Sequence, residues 1–406
     1  MSDTIWDVLI IGAGASGLLC ARECARRGLK TLVLEKEPLP GKKILASGNG
    51  RCNLTNTHVN ASYYQADPAL ISGVLKQFSY EDCRHYFEQL GVLLTEEENG
   101  RIFPATGKAT AVLEALKLAV QESGATLLTN HPVISIQKNK LFTVKTQAGP
   151  SFRARHIVLA CGSCAYPQLS GTNSGYELAR ALGHTITPLR PSLSGLCLKE
   201  NFSRLAGIRA QVELTVPTAN IQTRGEIIFT NYGINGPAAL NASGIISRAL
   251  ERGPVPILLN FLPHIRDVQP FLADRLHTFG HRKPKDFFAG LLHESITNQL
   301  IDFKGLRKNK PFNGQFPSAA KQALQTLCAW PATVTALRPW QEAMVAAGGV
   351  NLQEINYNTF ESLLCPQVYL IGELLDVDGQ SGGFNLHFAW ASAHTAAEHL
   401  AQENKA

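Results

Sequence analysis

A glycine-rich turn between two apolar segments near the start of the chain is the feature that most constrains the fold. Residues 5–11 predict a strand, an amphipathic helix follows to about Gly28, and residues 31–35 predict a second strand. The turn has the spacing Gly-x-Gly-x-x-Gly, and Glu35 ends the second strand. A strand, glycine turn, helix and strand followed by a carboxylate are typical of dinucleotide-binding Rossmann domains.

Each glycine of the turn has a physical role. Gly12 makes the tight turn, Gly14 lets the backbone approach a pyrophosphate, and Gly17 allows close packing of the helix on the strand. A carboxylate at Glu35 can bind a ribose hydroxyl pair and disfavours a 2′-phosphate, which indicates FAD or NAD rather than NADP. The predicted cofactor contacts of this unit are Gly12, Ala13, Gly14, Ala15, Ser16, Gly17, Glu35 and Lys36.

The segment after the second strand, Glu37–Asn56, is rich in glycine, asparagine and cationic residues and is too broken for the next helix of a plain nicotinamide domain. We expect a binding loop, with an ordinary surface loop as the alternative. Such a loop can lay cations and backbone amides along a diphosphate and bring polar residues beside an isoalloxazine ring. The expected contacts are Lys42 and Lys43 with the diphosphate, and Ser47, Arg51 and Asn53 with the ring.

Composition excludes several classes of protein. The 406 residues, 45% hydrophobic and 17% charged, are enough for two or three domains with real cores. The net charge of +6 includes no dense basic run, so we expect no nucleic-acid partner. We expect no export signal and no membrane span, because no apolar stretch approaches about 20 residues. Nine scattered cysteines fit a reducing compartment, so the predicted location is cytoplasmic.

Several later motifs match one family. They are SGNGRCNLTN (47–56), GRIFP (100–104), HIVLACGSCAYP (156–167), IIFTNYGINGPAALNAS (227–243), AAGGV (346–350) and GELLDVDGQSGGFNLHFAWASA (372–393). With the glycine turn, they resemble the BaiN/RdsA-type family of NAD(P)/FAD-dependent oxidoreductases, which includes the bacterial YhiN proteins. The resemblance extends over nearly the whole chain.

The resemblance implies an α/β fold with a discontinuous, Rossmann-like FAD domain of glutathione-reductase type. The expected divisions are residues 1–190 and 342–406 for the FAD domain, and residues 191–341 for an inserted β-barrel-like domain. Short strand-like runs in the insert agree with a β-rich domain, and residues of about 268–327 predict a helical segment. The motif at 227–243 lines a substrate pocket or is simply a barrel hairpin followed by a helix cap.

The resemblance and the local patterns add further cofactor contacts. By resemblance, backbone groups at Val133 bind the adenine, Gly162 ends a strand that crosses near the FAD, and Gly372 and Glu373 meet the ribityl or phosphate region. A helix that starts after Gly383 points its positive end, with free amides near Asn385 and Leu386, at the flavin. A plain packing helix is the alternative.

Disulfide and metal chemistry are not expected. Cys161 and Cys164 form a CxxC, but it follows a strand instead of opening a helix. Cys52 lies in the loop where flavin disulfide reductases carry a cysteine pair, but position 57 is Thr57. The histidines are dispersed, and His394 and His399 are five apart on a helix, so we expect no metal.

The sequence therefore predicts an FAD-dependent oxidoreductase that transfers hydride from NADH or NADPH to a small-molecule organic acceptor, such as a conjugated enone. No second nucleotide unit is evident, so we expect the nicotinamide to bind transiently. Catalytic residues cannot be assigned from the sequence, and Tyr166, Tyr232 and His387 are polar candidates. An FAD-dependent RNA-modifying enzyme and a non-enzymatic flavin redox sensor are the alternatives. A basic face on the insert would support RNA, but Lys and Arg look dispersed.

Overall fold

The chain divides into two units in a computed structural model, which describes residues 4–315 and 317–404. The first unit contains the chain up to Arg190 and again from Met344 on, and the second runs from Pro191 to Ala343. The boundaries expected from the sequence, after residues 190 and 341, lie within two residues of these.

The first segment begins with alternating strands and helices. Its elements are β1 (Ile5–Ile11), α1 (Ala15–Arg26), β2 (Thr31–Leu34), α2 (Lys42–Gly50), β3 (Thr55–Asn56), β4 (Tyr64–Gln65), α3 (Pro68–Gln77), α4 (Tyr80–Gln89), β5 (Leu94–Glu97), β6 (Arg101–Pro104), α5 (Ala109–Glu122), β7 (Thr126–Leu128), β8 (Val133–Lys138), β9 (Phe142–Thr146), β10 (Ser151–Leu159), α6 (Ser174–Ala181) and β11 (Arg190–Ser192).

The inserted unit and the returning segment follow. The insert contains β12 (Leu196–Leu198), β13 (Arg209–Val216), β14 (Ile221–Phe229), β15 (Gly233–Asn235), α7 (Pro237–Ala249), β16 (Val255–Asn260), α8 (Val268–Phe279), α9 (Pro284–Phe288), α10 (Glu294–Phe303), α11 (Pro317–Cys328) and β17 (Trp330–Leu337). The returning segment contains β18 (Val345–Ala347), β19 (Val368–Leu370), β20 (Asp378–Gly379) and α12 (Phe384–Glu403).

A seven-stranded sheet forms the centre of the first unit. Its order is β7-β2-β1-β10-β9-β8, and β19 also pairs with β10. The strands around β1 are parallel, and residues 8–11, 32–34 and 157–159 at their centre are apolar and buried, as expected for strands covered on both faces. One edge of β10 pairs with β1. Its other edge is shared by two strands, because residues 151–154 pair with antiparallel β9 and residues 157–159 pair with parallel β19. The returning segment therefore completes the sheet, and α12 packs against α1.

The second unit is built around a closed barrel with the strand order β12-β15-β14-β13-β16-β17. Val212, Leu214 and Val216 alternate along β13 and are buried in a core separate from that of the first unit. The helices α8 to α11 add an aromatic cluster in which Phe287 and Phe312 stack 4.0 Å apart. The predicted fold class is confirmed: a discontinuous Rossmann-type domain carries an inserted barrel and a helical segment.

Local details differ from the sequence-based expectation at one position that matters for function. The segment 42–50 was expected to be a loop but forms α2, which is broken at Ser47 (φ −64°, ψ 145°) and left-handed at Gly48 and Asn49. The first turn of a helix therefore forms after Gly41, and the polar Gly-Asn-Gly sequence then interrupts it. The segment is helical where Lys42 and Lys43 lie and loop-like where the predicted flavin contacts lie.

Candidate functional site

The glycine turn after β1 is shaped by two close backbone approaches and one open face. A Cβ on Gly12 (φ +105°) would lie 2.5 Å from the Ala160 carbonyl oxygen, and a Cβ on Gly17 would lie 1.9 Å from the Gly12 carbonyl oxygen. A Cβ on Gly14 would meet no atom within 4 Å, neighbouring residues aside, in the described part of the chain. Gly12 and Gly17 are therefore required by packing, whereas Gly14 leaves its face open.

The start of α1 lies directly at this open face. Gly14 is the extended N-cap residue and offers no side chain to the first amides of the helix, which belong to Ala15, Ser16 and Gly17. Free amides at a helix N-terminus, together with the helix dipole, form an anion site. The arrangement fits the pyrophosphate of a dinucleotide.

Glu35 is held next to the turn at the end of β2. Its side chain is 8% exposed, and its two carboxylate oxygens accept hydrogen bonds from the backbone amides of Ala13 (2.7 Å) and Glu37 (2.9 Å). Two amide donors hold the carboxylate in one orientation, and each oxygen keeps a lone pair for a further donor. The arrangement fits a ribose hydroxyl pair beside the pyrophosphate.

The loop after α2 concentrates unusual backbone conformations. Gly48, Asn49, Gly50 and Cys52 all have positive φ, between 56° and 81°. A non-glycine residue held in this region costs of order 1–3 kcal/mol, and such residues cluster at functional sites. Surrounding contacts must therefore hold the loop in place.

The start of α12 provides those contacts. A Cβ on Gly383 (φ +102°) would lie 2.5 Å from the Thr55 carbonyl oxygen, so the backbone of the helix start lies directly against β3. The side-chain amide of Asn56 donates to the Gly382 carbonyl oxygen (3.1 Å). The two motifs at residues 47–56 and 372–393, on which the resemblance rests most specifically, meet here. We call this contact the loop–helix junction.

His387 fastens the loop–helix junction from within. It is fully buried, its Nδ1 lies 2.7 Å from the Thr55 hydroxyl, and its Nε2 lies 3.2 Å from the Phe78 carbonyl oxygen. Because that carbonyl can only accept, Nε2 carries the proton and Nδ1 accepts from Thr55. Burial lowers the pKa of His387 to about 4. A neutral imidazole with both nitrogens hydrogen-bonded connects β3, the Phe78 backbone and α12, which is a structural role.

Two asparagines lie near the α12 start and differ in how their side chains are used. Asn385 donates to the Gly379 carbonyl oxygen and accepts from the Gly379 amide, both at 2.8 Å, so its side chain fixes the preceding strand. Asn53 is 8% exposed, and its Oδ1 is buried without a hydrogen-bond partner among the described residues. An unpaired buried oxygen is costly, and a cofactor amide beside the junction would satisfy it.

Glu373 connects three predicted segments. One oxygen of its carboxylate accepts from the Ser163 hydroxyl (2.8 Å) and the Ala346 amide (3.2 Å), and the other pairs with Lys43 Nζ (2.6 Å). The preceding Gly372 has φ +68°. The carboxylate thus holds Lys43 and the 346 backbone in position, and four donors and acceptors from distant parts of the sequence meet at one point.

Ser16 lies beneath this group. A Cβ on Gly372 would lie 2.6 Å from the Ser16 hydroxyl oxygen, so the Gly372 backbone approaches the start of α1 closely. The Gly372 amide donates a hydrogen bond to the Ser392 hydroxyl oxygen on α12 (3.1 Å). The glycine turn, the Glu373 segment and α12 therefore belong to one continuous site.

Other predicted cations have protein partners. Lys36 donates to the Ser170 carbonyl oxygen (2.7 Å) and the Thr172 hydroxyl (3.0 Å), and burial lowers the pKa of Lys36. Lys42 forms an ion pair with Glu37. Contact of either lysine with a cofactor stays a prediction.

The remaining predicted contacts are Arg51, Val133, Gly162 and Leu386. Arg51 pairs with Glu97, and its guanidinium lies 4.2 Å from the centre of the Phe103 ring. Val133 is the first residue of β8, and Gly162 has φ +66° in the turn after β10. Leu386 is the third residue of α12. Their contact with a cofactor stays a prediction.

Comparison with known proteins agrees with this geometry. Residues 6–399 match the family described as the HI0933-like protein Rossmann domain. The chain belongs to this family.

Among curated relatives of the HI0933-like family member, one is the 3-dehydro-bile acid delta(4,6)-reductase of Clostridium scindens. It is 33% identical over 97% of this chain and 98% of the relative. The ribosomal RNA dihydrouridine synthase of Escherichia coli is 28% identical over 97% of this chain and 98% of its own. The 3-ketosteroid delta1-dehydrogenase of Sterolibacterium denitrificans, solved with 1,4-androstadiene-3,17-dione, has a TM-score of 0.51 at 13% identity. It covers 98% of this chain and 100% of that structure, and shares the fold.

The family member is thus a flavoprotein oxidoreductase with a Rossmann-type FAD-binding domain. In the part of the chain that the structure describes, no helix has both the length and the apolar character required to cross a bilayer.

Burial makes three cysteine thiols of the family member less reactive. Burial raises the pKa of both Cys52 and Cys161 to about 12 and also raises that of Cys164. All three are free thiols. A thiol that stays protonated at neutral pH is a poor nucleophile, in contrast to the lowered pKa of redox-active cysteines.

Tyr232 has contacts to neighbouring side chains, and Tyr166 has an unusual backbone conformation. Tyr232, in the inserted unit, accepts from the Asn235 side-chain amide (3.2 Å), and the Arg338 guanidinium lies 4.4 Å from its ring centre. Tyr166 is left-handed (φ +54°) in the turn after β10. Neither contact assigns a catalytic role.

Sequence reasoning missed several contributors to the site. Ser163, the Ala346 amide and Thr55 all bind predicted site residues, but their roles depend on contacts between distant segments. Tyr63 also stacks on Phe384 at 4.2 Å and packs against the α12 start. The motifs containing Ser163, Ala346 and Thr55 were recognised, but the groups that act within them were not, and Tyr63 lies outside every recognised motif.

Proposed function

We propose that the protein is an FAD-dependent reductase that takes reducing equivalents from NADH or NADPH. It adds a hydride and a proton across a carbon–carbon double bond conjugated to a carbonyl group of an organic acceptor. The observation that carries the proposal is the loop–helix junction beside the glycine turn, since it brings an uncapped helix start and a buried unpaired Asn53 oxygen to one place. Bound FAD would supply the two-electron chemistry at this place.

The chain's own residues would divide the work. Glu35 binds the ribose hydroxyls, and the open face of Gly14 with the α1 amides receives the pyrophosphate. Lys43, held by Glu373, supplies positive charge near the diphosphate. The α12 start places amides and the positive end of a helix dipole at the flavin ring, which favours negative charge there.

The names of the curated relatives support the reaction class. One name describes reduction in a bile-acid ring system, and the other describes formation of dihydrouridine from a uracil ring. In both compounds the reduced bond is conjugated to a carbonyl group, which makes its far carbon an acceptor of hydride. We extend this common chemistry to the present chain. We also propose a cytoplasmic location, because nine free cysteines suit a reducing compartment.

Anaerobic reduction tests the proposal. The purified protein should show a flavin absorption band that bleaches on addition of NADH or NADPH, and a steroid enone should restore the band. A yellow protein that neither nucleotide reduces would refute the nicotinamide donor. A colourless protein that FAD does not reconstitute would refute the cofactor.

A second candidate substrate, a uridine in RNA, is favoured by the distribution of charge. Residues 261–330 contain ten Lys and Arg against five Asp and Glu, a net +5 of the chain's +6. Most of these cations are exposed. Residues 261–330, here called the basic segment, are therefore richer in cations than the rest of the chain, and a basic segment suits a polyanion.

An exposed aromatic ring lies within this basic segment. Phe303 is 50% exposed, and Lys304 Nζ lies 4.6 Å from the centre of its ring. The Phe303 ring also stacks on Trp330, with the ring centres 5.6 Å apart. An exposed ring beside cations is the arrangement on which unpaired bases stack.

Binding of a ribosomal RNA fragment separates the two substrates. If RNA is the substrate, affinity should fall steeply with salt and should fall at least tenfold in the double variant Lys308→Glu, Lys310→Glu. Steroid-enone reduction should be unchanged in that variant if the acceptor is a small molecule. The variant Lys140→Glu, an exposed lysine in the first unit, is the matched control.

A further inference from the structure

A second group of polar side chains lies near the far end of α12. One ligating atom each of Glu361, His399 and Glu403 lies within 4.8 Å of the others. His399 is 15 residues beyond Phe384, about 22 Å along the helix at 1.5 Å per residue. The group is therefore separate from the loop–helix junction and has no role in the proposed reaction.

Two further residues border the group. His156 Nε2 lies 3.3 Å from Glu403 Oε2. The Tyr369 hydroxyl lies 2.9 Å from His399 Nδ1 and 3.3 Å from Glu403 Oε2. These residues come from β10, β19, α12 and the bridge between residues 361 and 369. Three separate backbone segments therefore bring two imidazoles and two carboxylates together, and β19 adds the Tyr369 hydroxyl.

The hydrogen bonds select the imidazole tautomers that a metal requires. His156 Nδ1 lies 3.1 Å from the Asp7 carbonyl oxygen, which can only accept, so Nδ1 carries the proton and Nε2 keeps its lone pair. When the Tyr369 hydroxyl donates to Glu403, its oxygen accepts from His399 Nδ1, which likewise leaves Nε2 free. A histidine that ligates a metal typically donates its other N–H to an oxygen in this way.

The Glu361 carboxylate is also held in place. Its Oε1 accepts from the Gln367 amide at 2.7 Å, and the second oxygen remains for a ligand. Glu403 is one helical turn after His399, so both side chains project from the same face of α12. The sequence-based expectation of no metal rested on the dispersed histidines and on the five-residue spacing of His394 and His399. The partners of His399 are instead Glu361 and Glu403.

We propose that Glu361, His399 and Glu403, with His156 as fourth ligand, bind one divalent transition-metal ion of the Zn²⁺ type. Imidazole nitrogens and carboxylate oxygens are the ligands such an ion accepts. Bonds of about 2.0–2.1 Å in a tetrahedron separate ligand atoms by roughly 3.4 Å. The distance from His156 Nε2 to Glu403 Oε2, 3.3 Å, already matches. Among Glu361, His399 and Glu403, whose ligand atoms lie within 4.8 Å of one another, the widest pair must close by at most about 1.4 Å, a movement within side-chain rotation. The ion would tie the end of α12 to β10 and the 361–369 segment.

Calorimetric titration of the FAD-loaded full chain with ZnCl₂ tests the proposal. One ion should bind per chain, and His399→Gln and Glu361→Gln should each weaken binding at least tenfold. Zn²⁺ should raise the Tm of the wild type by a few degrees and leave that of both variants unchanged, because a ligand that binds only the folded state stabilises it. Glu398→Gln is the matched control, since it removes an exposed carboxylate next to His399 and outside the group.

Loss of binding is attributed to the site only where the Tm without metal stays near that of the wild type. We expect Glu361→Gln to meet this condition, because it changes no core residue and keeps an oxygen for the Gln367 amide. Equal weakening by Glu398→Gln, or Zn²⁺ binding unchanged in both site variants, would overturn the proposal and indicate cysteine thiols or general surface charge. No binding below millimolar Zn²⁺ would also overturn it. None of these outcomes depends on catalytic activity, so failure here is distinguishable from failure of the proposed reaction.

Discussion

The two units treat polar groups in opposite ways. In the described part of the first unit, six Asp, Glu and His side chains are buried, among them Glu35 and His387, each with a hydrogen-bonding or charged partner. In the described part of the second unit, the buried polar side chains are Ser, Thr and Gln only. The second unit instead carries its charge on the surface of the helical segment. A buried polar network fixes one geometry, whereas an apolar barrel with a charged exterior leaves partner choice to its surface.

The sharpest test of this comparison separates packing from cofactor binding within one turn. Gly17→Ala should lower the free energy of unfolding by about 3 kcal/mol or more, because its Cβ would lie 1.9 Å from a backbone oxygen. Gly14→Ala should leave the stability of the FAD-free protein within about 0.5 kcal/mol and weaken FAD binding at least tenfold. Urea unfolding and FAD titration measure both. Unchanged FAD affinity in Gly14→Ala would show that the open face does not receive the cofactor.

Acidification should weaken the first unit through His387. Its pKa is about 4 when folded and about 6.5 when unfolded, so only the unfolded state gains a proton between these values. This group's contribution is present above pH 6.5 and is lost as the pH falls toward 4. The loss between pH 7 and pH 5 is roughly 2 kcal/mol. Urea unfolding at the two pH values should give a smaller difference in His387→Asn than in the wild type.

The exposed histidine His58 supplies the control for that experiment. His58→Asn should retain the full difference between pH 7 and pH 5. If His387→Asn retains it as well, the pH dependence comes from other buried groups, and the role of His387 in fixing the loop–helix junction loses this support.

A moderate effect is expected at Glu373. Glu373→Gln removes the charge that holds Lys43 but can keep the bond from Ser163, so FAD affinity should fall about tenfold while the Tm of the FAD-free protein changes little. Lys43→Met should cause a similar loss, and the double variant should lose little more, because the pair acts as one unit. Fully additive losses would indicate that each side chain contacts the cofactor independently.

The smallest change in stability is expected for substitutions of exposed lysines in residues 261–330. Lys283→Gln and Lys310→Gln replace exposed side chains and should change the free energy of unfolding by less than about 0.5 kcal/mol. Thermal unfolding of each variant measures this change. A larger destabilisation would mean that these cations hold the helical segment together and are not free to serve a partner.

Sequence patterns predicted the local elements well where one physical requirement dominates. The bounds of β1, residues 5–11, and the start of α12 after Gly383 follow from an apolar run and from a glycine pair. The helical turn at Lys42 was missed because the Gly-Asn-Gly sequence that follows it suggested a loop throughout. The chain is helical from Lys42 up to the interruption at Ser47, and the Gly-Asn-Gly sequence after it is loop-like.

The pairing of Lys43 with Glu373 could not be predicted, since 330 positions separate them and neither shows a local pattern. The concentration of charge on residues 261–330 was present in the sequence and was overlooked because no run of it is dense. Contacts between distant segments depend on the completed sheet, which periodicity does not describe.

The shared strand β10 has a consequence for synthesis of the protein. Its residues 157–159 gain their partner β19 only after residue 368 has been made, more than 200 residues later. At about 5–20 residues per second, the ribosome needs roughly 10–40 s to supply that partner. During this interval the sheet has an open, apolar edge, while the insert, with a core of its own, can fold first. The nascent chain therefore needs protection at β10 more than anywhere else, and α12 completes the cofactor site last.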